Sequence, residues 1–429
     1  MRIGALHCAD QPRVGRRRAI HRVRVARLAE FREGRLTRRK TIVVSALGAS
    51  QTLAWASSYY LPAVLGGPIA AGLGVPISVF FAIFSAVLLL QAAFGPYVGT
   101  LIDRHGGRGV LTVSNLVIAA GLAMLALAQS IAGLIAAWAL LGIGMTMGLY
   151  DAAFAALTRL YGREARASIT GITLLAGFAS TIGWPASAWF EHAFGWREAC
   201  LIWGAVNLFV AMPLNWFLIP PAPAVPPGVA AKRDMREVEP PRGAMPILAF
   251  YFCMTAFVTG ALQAHLLRFL EMAGASAAAA IIAGTLVGPA QVAARLCEFG
   301  LMRTLHPVWS ARIAAMLHPI GAGLLGLLGP AGIAAFAVAY GAGNGMITIA
   351  RGTLPLAIFG PAGYGLRTGL LSVPGRLSVA AAPFLFGLLL DRVGVFAVLL
   401  TVGLNLAAFA SLWLLRLKPA ARVAAAVSD

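Results

Sequence analysis

The chain has 429 residues, of which 59% are hydrophobic and 11% charged, with 34 Lys/Arg against 15 Asp/Glu for a formal net charge of +19. A soluble domain carries roughly a quarter charged residues, so this composition, with a mean hydropathy of +0.82, excludes a water-soluble fold and indicates an all-α membrane protein. The four cysteines (Cys8, Cys200, Cys253, Cys297) are scattered, which indicates neither a zinc site nor a disulfide framework.

Residues 1–40 hold thirteen of the 34 Lys/Arg, in runs such as Arg16-Arg17-Arg18 and Arg38-Arg39-Lys40, without an apolar stretch of signal-peptide type. This is a basic, solvated tail. It is either an anchor for anionic lipid headgroups or an unstructured extension, including a mis-assigned translation start.

From there to residue 417 the chain alternates apolar stretches with short polar breaks. A hydrocarbon core of about 30 Å needs about 20 residues of helix to cross it, and backbone groups in lipid must be bonded within the segment. The predicted helical spans are 42–65, 76–101, 109–130, 133–157, 167–191, 198–219, 245–270, 277–301, 310–329, 331–353, 367–390 and 395–415. Between the sixth and seventh lies a Pro- and charge-rich linker, 220–243, containing Pro220-Pro221, Pro226-Pro227 and Pro240-Pro241, which cannot continue a membrane helix. The expected organisation is therefore a tail (1–40), a six-helix half (41–219), the linker, a second six-helix half (244–417) and a short tail (418–429).

Basic residues mark alternate loops. Arg104 and Arg108 follow the second span, Arg159, Arg163 and Arg166 the fourth, Lys232, Arg233, Arg236 and Arg242 the sixth, Arg303 and Arg312 the eighth, and Arg416, Lys418 and Arg422 the last. Gly66–Gly74, Gln129–Gly133 and Gly326–Gly332 carry no Lys or Arg. Under the positive-inside rule both termini are cytoplasmic in a bacterial-type inner membrane. The positive charge then belongs to cytoplasmic loops, so no nucleic-acid partner is expected.

The halves repeat. Pro185 matches Pro383, Gly195 matches Gly394 and Asn207 matches Asn405 at a nearly constant separation; Gly142-Ile-Gly144 corresponds to Gly341-Ala-Gly343, and Gly95-Pro96 recurs as Gly288-Pro289. Parallel repeats of six spans describe one transporter architecture.

Gly95-Pro-Tyr-Val-Gly99-Thr-Leu-Ile-Asp103-Arg104-His-Gly-Gly107-Arg108 resembles the signature loop between the second and third spans of major facilitator transporters. Its residues are intelligible on their own terms: Gly99 permits close helix approach, Asp103 can cap a helix end or pair across the bundle, and Arg104 and Arg108 anchor the cytoplasmic side. Gly195-Trp196-Arg197 and the Arg163 to Gly171 run agree with the same family. The second copy of the loop is degraded to Gly288-Pro-Ala-Gln291-Val-Ala-Ala-Arg295-Leu-Cys-Glu298, and Gly183-Trp184-Pro185 replaces the glycine-rich motif of drug/proton antiporters. Trp55-Ala-Ser-Ser-Tyr59-Tyr60-Leu-Pro62 is similar to the first span of the monocarboxylate and oxalate/formate branch. Thr348-Ile-Ala-Arg351-Gly-Thr-Leu-Pro355 is similar to bacterial arsenical-efflux permeases, although no cysteine pair supports soft-metalloid binding.

Ionisable residues inside spans cost about 2.5–3.5 kcal/mol each on insertion scales and so face a cavity or a partner. Asp151 and Arg351 occupy nearly equivalent positions in the fourth and tenth spans; they could pair across the twofold axis, as a gate or as a static ion pair. Arg376 falls near the midplane, where an anionic substrate or a carbonyl at the Pro374-Gly375 break would be its partner. Arg295 lies nearer the cytoplasmic end, where it can snorkel to water. His265 and Asp151 are the candidate proton couplers. Tyr59, Tyr60, His265, Gln263 and Asn344 are candidate substrate contacts beside Arg376, and Gln51 and Gln291 further polar companions. Three arginines and a histidine against one counted intramembrane carboxylate favour an organic anion.

No nucleophile/base pair, metal cluster or nucleotide-binding loop is visible, so neither an enzyme nor a cofactor is expected. The resemblance implies a secondary transporter of a small solute such as a monocarboxylate, working by alternating access with proton coupling as an option. The competing readings are an efflux permease for a toxic compound or metalloid, and a non-transporting membrane receptor of the same fold.

Overall fold

The computed structural model describes residues 38–222, 240–302 and 304–415. The basic tail up to residue 37, most of the 220–243 linker, the tail from 416 onward, and with them Cys8, Arg303 and Lys418, lie outside the described residues. Among the described residues the secondary structure is helical throughout, with no strand.

The first part of the chain forms 38–57 (α1), Pro62–Gly72 (α2), Ile77–His105 (α3), Gly107–Leu127 (α4), Ile131–Gly148 (α5), Tyr150–Tyr161 (α6), Ala165–Leu175 (α7), Ala179–Phe194 (α8), Trp196–Val206 (α9) and Met212–Leu218 (α10). Beyond the linker come Ala244–Met272 (α11), Ala277–Leu301 (α12), Pro307–Leu328 (α13), Ile333–Phe359 (α14), Tyr364–Val393 (α15) and Val398–Ser411 (α16). Among the described residues, eight helical stretches are long and apolar enough to cross a membrane; three of them, Ile131–Phe194, Pro307–Phe359 and Tyr364–Ser411, run to 64, 53 and 48 residues.

Four expected spans depart from single α-helices. The 42–65 segment is α1 and α2 on either side of a turn at 58–61, because Pro62 lacks an N–H and suits the first position of a new helix. The 133–157 segment breaks at Leu149, whose backbone is extended between α5 and α6. There the buried Gln51 amide donates to the Gly148 carbonyl at 2.5 Å, satisfying backbone that the break exposes. The 167–191 segment tightens to a 3-10 turn at Ala176–Phe178. The 198–219 segment widens to a π-turn at Asn207–Ala211. That turn sets the buried Asn207 amide to donate to Ser57 Oγ at 2.8 Å, while its carbonyl accepts from Asn115 at 3.2 Å and Asn115 in turn accepts from Asn215 at 2.7 Å.

Positions paired in the sequence repeat take like local roles. Gly195 and Gly394 both end helices at positive φ, 95° and 61°, a conformation suited to glycine. Asn207 and Asn405 are both buried polar residues. The core is four clusters of buried side chains. One gathers around Trp138, Phe80 and Trp203, another around Phe154 and Tyr364, a third around Phe269, Phe336 and Phe386, and a fourth around Tyr251 and Leu354. The principal contacts between residues before and after the linker run from α3, α6 and α7 to α12, α14 and α15.

Candidate functional site

Glycines bring α3 and α15 together. Gly95-x3-Gly99 faces Gly365-x3-Gly369: a Cβ at Gly99 would overlap the Gly365 carbonyl, and one at Gly369 would sit 2.7 Å from the Pro96 Cα. Small residues four apart let helix backbones approach in lipid, where packing and not the hydrophobic effect drives association. One turn on, Asp103 accepts hydrogen bonds at 2.9 Å from the backbone N–H of both Gly365 and Leu366. These are first-turn donors of α15 with no intrahelical partner, so α3 supplies the cap that α15 lacks. Arg159 Nε steadies the seal by donating to the Asp103 carbonyl at 3.2 Å. Arg104 is exposed, and Arg108 stacks on Trp216, 4.6 Å from the ring centroid.

A second contact closes the flank. Arg166 at the start of α7 donates to the carbonyls of Leu305 at 2.6 Å and Met302 at 3.2 Å, just past the end of α12. Arg295 of α12 donates to the Thr173 carbonyl at 3.0 Å and to the Gln291 side chain at 3.4 Å. It is 5% exposed, so the expected snorkelling is replaced by binding to carbonyls of the neighbouring helix.

At mid-length of α3 and α15 the glycine seam gives way to charge. Asp151, the second residue of α6, pairs with Arg376 at 2.7 Å through one oxygen and with Arg351 at 3.8 Å through the other. Arg376 also donates to the Gln91 carbonyl. A small cavity lies against this cluster, lined by Asp151, Arg376, Thr146, Gly95, Gly99 and Gly369. The expected roles are thus redistributed. Arg376, the expected anion receptor, is 15% exposed and engaged by Asp151, whereas Arg351, the expected partner of Asp151, is held at a longer distance and is 44% exposed. The kink around Leu149 points Asp151 along α15, which sequence spacing alone could not show.

Around the charges stands a polar and aromatic wall. Trp55 packs against Tyr59 at 5.1 Å and Tyr150 at 4.9 Å between ring centroids. Tyr150 stacks on Phe154 at 5.3 Å, and Tyr59 packs edge-on to Tyr60 at 5.7 Å. Asn344 accepts from Thr259 at 2.7 Å. Gln263 is exposed. His265 donates to the Pro383 carbonyl at 2.8 Å and its ring covers Gly387, so it sits in the packing of α11 on α15.

The count of a single carboxylate in the spans is corrected by Glu298 of α12. It is 2% exposed, with the Ser310 hydroxyl and the Arg166 guanidinium as its polar neighbours. It falls inside the expected eighth span, where it reads as the tail of the degraded loop motif; only its position along the helix signalled burial.

The comparisons with known proteins agree with this architecture. A profile described as Major Facilitator Superfamily matches residues 45–317. The chain belongs to that superfamily. Its members are transporters, not enzymes, and bind small molecules within the membrane. Among curated relatives, human monocarboxylate transporter 11 is 29% identical over 345 residues, covering 73% of this chain and 69% of that protein. An uncharacterised 38 kDa protein in the 23S RNA operon of Thermoproteus tenax is 28% identical over 71% of this chain and 78% of its own length. Among solved structures, the human organic anion transporter MFSD10 (TETRAN) superposes with a TM-score of 0.68 at 18% identity, covering 87% of this chain and 99% of that one. At that identity the likeness concerns the fold.

Proposed function

We propose that this superfamily member is a secondary transporter of a small organic anion of the monocarboxylate kind. The observation that carries the reading is the sharing of one carboxylate, Asp151, between two guanidiniums, with the more exposed one, Arg351, held at 3.8 Å. The cluster has one positive charge in excess. A substrate carboxylate can take up Arg351 bidentately, and a monoanion leaves the cluster neutral, which lowers the cost of enclosing it in the membrane. Where a proton travels with the anion, protonation of Asp151 frees its hold on Arg351, and proton and monoanion together leave the charge of the empty cluster unchanged. The names of the two human proteins it resembles, a monocarboxylate transporter in sequence and an organic anion transporter in fold, accord with this chemistry.

The architecture that serves it is twelve spans in two six-helix halves, 41–219 and 244–417, rocking about the midplane site. Three of the eight long apolar stretches have the length to cross twice, and the run from 38 to 72 adds one more. With the basic ends cytoplasmic, both termini lie in the cytoplasm of a bacterial-type inner membrane, and the Asp103 and Arg166 contacts seal the cytoplasmic side.

Uptake of labelled lactate, pyruvate, formate and oxalate into proteoliposomes, with and without an inward proton gradient and with efflux from preloaded vesicles, tests the reading. Saturable flux is expected in the wild type and its loss in Arg351→Ala, with the melting profile retained. Wild-type protein that moves neither these anions nor a larger monocarboxylate such as phenylacetate in either direction rules the reading out.

A further inference from the structure

The charged cluster is continuous with a set of rings. The break at Leu149 begins α6 with Tyr150 and Asp151, so the ring that meets Trp55 is one residue from the carboxylate that meets Arg351 and Arg376. Trp55 also lies 5.8 Å from Tyr60, which lies 6.0 Å from Trp184. Trp55, Tyr59, Tyr60 and Tyr150 are all partly accessible.

Their hydroxyls distinguish these rings from the core. Tyr251, Tyr340 and Tyr364 are buried, and each donates its hydroxyl to a backbone carbonyl, at 2.9, 3.3 and 2.7 Å. That is how a packing tyrosine satisfies its polar end. The hydroxyls of Tyr59, Tyr60 and Tyr150 have no hydrogen-bond partner among the described residues, although they lie deep in the bundle beside two helix breaks. An interfacial anchor would instead face headgroups, whereas Trp55 and Tyr59 pack on the Trp138 cluster and Tyr150 on the Phe154 cluster. Rings with open hydroxyls beside an accessible guanidinium form a two-part receptor, apolar face and cation.

We propose that the substrate is an aromatic carboxylate, with its ring against Trp55, Tyr59 and Tyr150 and its carboxylate on Arg351. This rests on the anion-transport reading above. Tyr150 and Asp151 open α6 side by side, so ring contact and charge contact arise at one turn of the bundle. A ring joined to its carboxylate directly or through one carbon, as in benzoate or phenylacetate, is the smallest acid that carries both parts. Lactate or formate would satisfy Arg351 and leave the rings wet.

The test compares phenylacetate with cyclohexylacetate, matched in length and charge but lacking the π face. Uptake is measured in proteoliposomes at pH 7.5, where both acids are ionised, above the background of protein-free vesicles. The apparent KM for phenylacetate is expected to be about 2- to 10-fold the lower, the range that aromatic pairing supplies beyond area. Trp55→Leu is expected to bring the ratio toward one, and Trp55→Tyr, which keeps a ring and guards against a folding defect, to preserve the preference. Equal KM values in wild-type protein that carries both acids overturn the aromatic assignment alone. Absence of saturable flux for phenylacetate, cyclohexylacetate and lactate together overturns the anion reading beneath it.

Discussion

Gly99 and Gly365 face one another with no room for a side chain on either, so the separation of α3 and α15 is set by the absence of two methyl groups. Gly99→Ala should hold the helices apart at an overpacking cost of about 1–3 kcal/mol, lowering the melting temperature and the rate of transport together; an unchanged melting profile would show that the seam relaxes at no cost. Glu298 presents the opposite case, a buried carboxylate with little but the Ser310 hydroxyl and Arg166 to offset its desolvation. Replacing such a group by an apolar one of similar volume removes a desolvation penalty, so Glu298→Met is expected to melt higher than wild type, whereas a lower melting temperature would mean that Arg166 depends on that charge. The sequence revealed these residues unevenly. Gly99, Asp103 and Asp151 stood out as motif members or isolated charges; Gly99 lies at a helix crossing, Asp103 on the first turn of α15 and Asp151 between two arginines. The choice of Arg376 as partner of Asp151 is a fact of helix crossing, and the Gly365-x3-Gly369 face is invisible until α15 is laid on α3.

Helix ends are as informative as helix faces. The first turn of α15 begins after Gly363, whose left-handed backbone brings no side-chain cap, and its Gly365 and Leu366 amides are capped from α3 by Asp103. A lost side-chain cap costs about 0.5–2 kcal/mol. Asp103→Ala is therefore expected to raise hydrogen exchange at the first turn of α15 while leaving the middle of α11 unchanged; uniform exchange across both helices would make Asp103 a global stability residue instead. Element existence was readable from apolar length, because lipid forces every span to bond its own backbone. The breaks were not readable. Leu149 is an ordinary helix former, and its extended backbone depends on Gln51, nearly a hundred residues earlier, to take the Gly148 carbonyl. Asn207 gave a visible signal, since a buried amide matched in the repeat needs partners, but the π-turn that supplies them follows from the position of Asn115 and Ser57 on other helices.

At the scale of the whole molecule, two contacts between elements before and after the linker work in parallel: Asp103 on the start of α15, and Arg166 on the end of α12. They use opposite helix ends with opposite charges, an acid on donors and a base on acceptors, each favourable with the helix dipole. Hydropathy made the helical membrane fold legible, but not these two contacts, because each joins helix ends that lie far apart in the sequence. If each contact is worth about 1–2 kcal/mol, its removal shifts the sealed-to-open ratio by roughly 5- to 30-fold. Because the two act on separate helix pairs, their effects should be nearly additive. Spin-label distances between His105 at the end of α3 and Leu301 at the end of α12, both exposed, report the population directly. Asp103→Ala and Arg166→Ala should each introduce a longer-distance component, and the double variant should make it dominant. A double variant no more open than either single one would mean that the seal is a single cooperative unit, held by the glycine seam between α3 and α15.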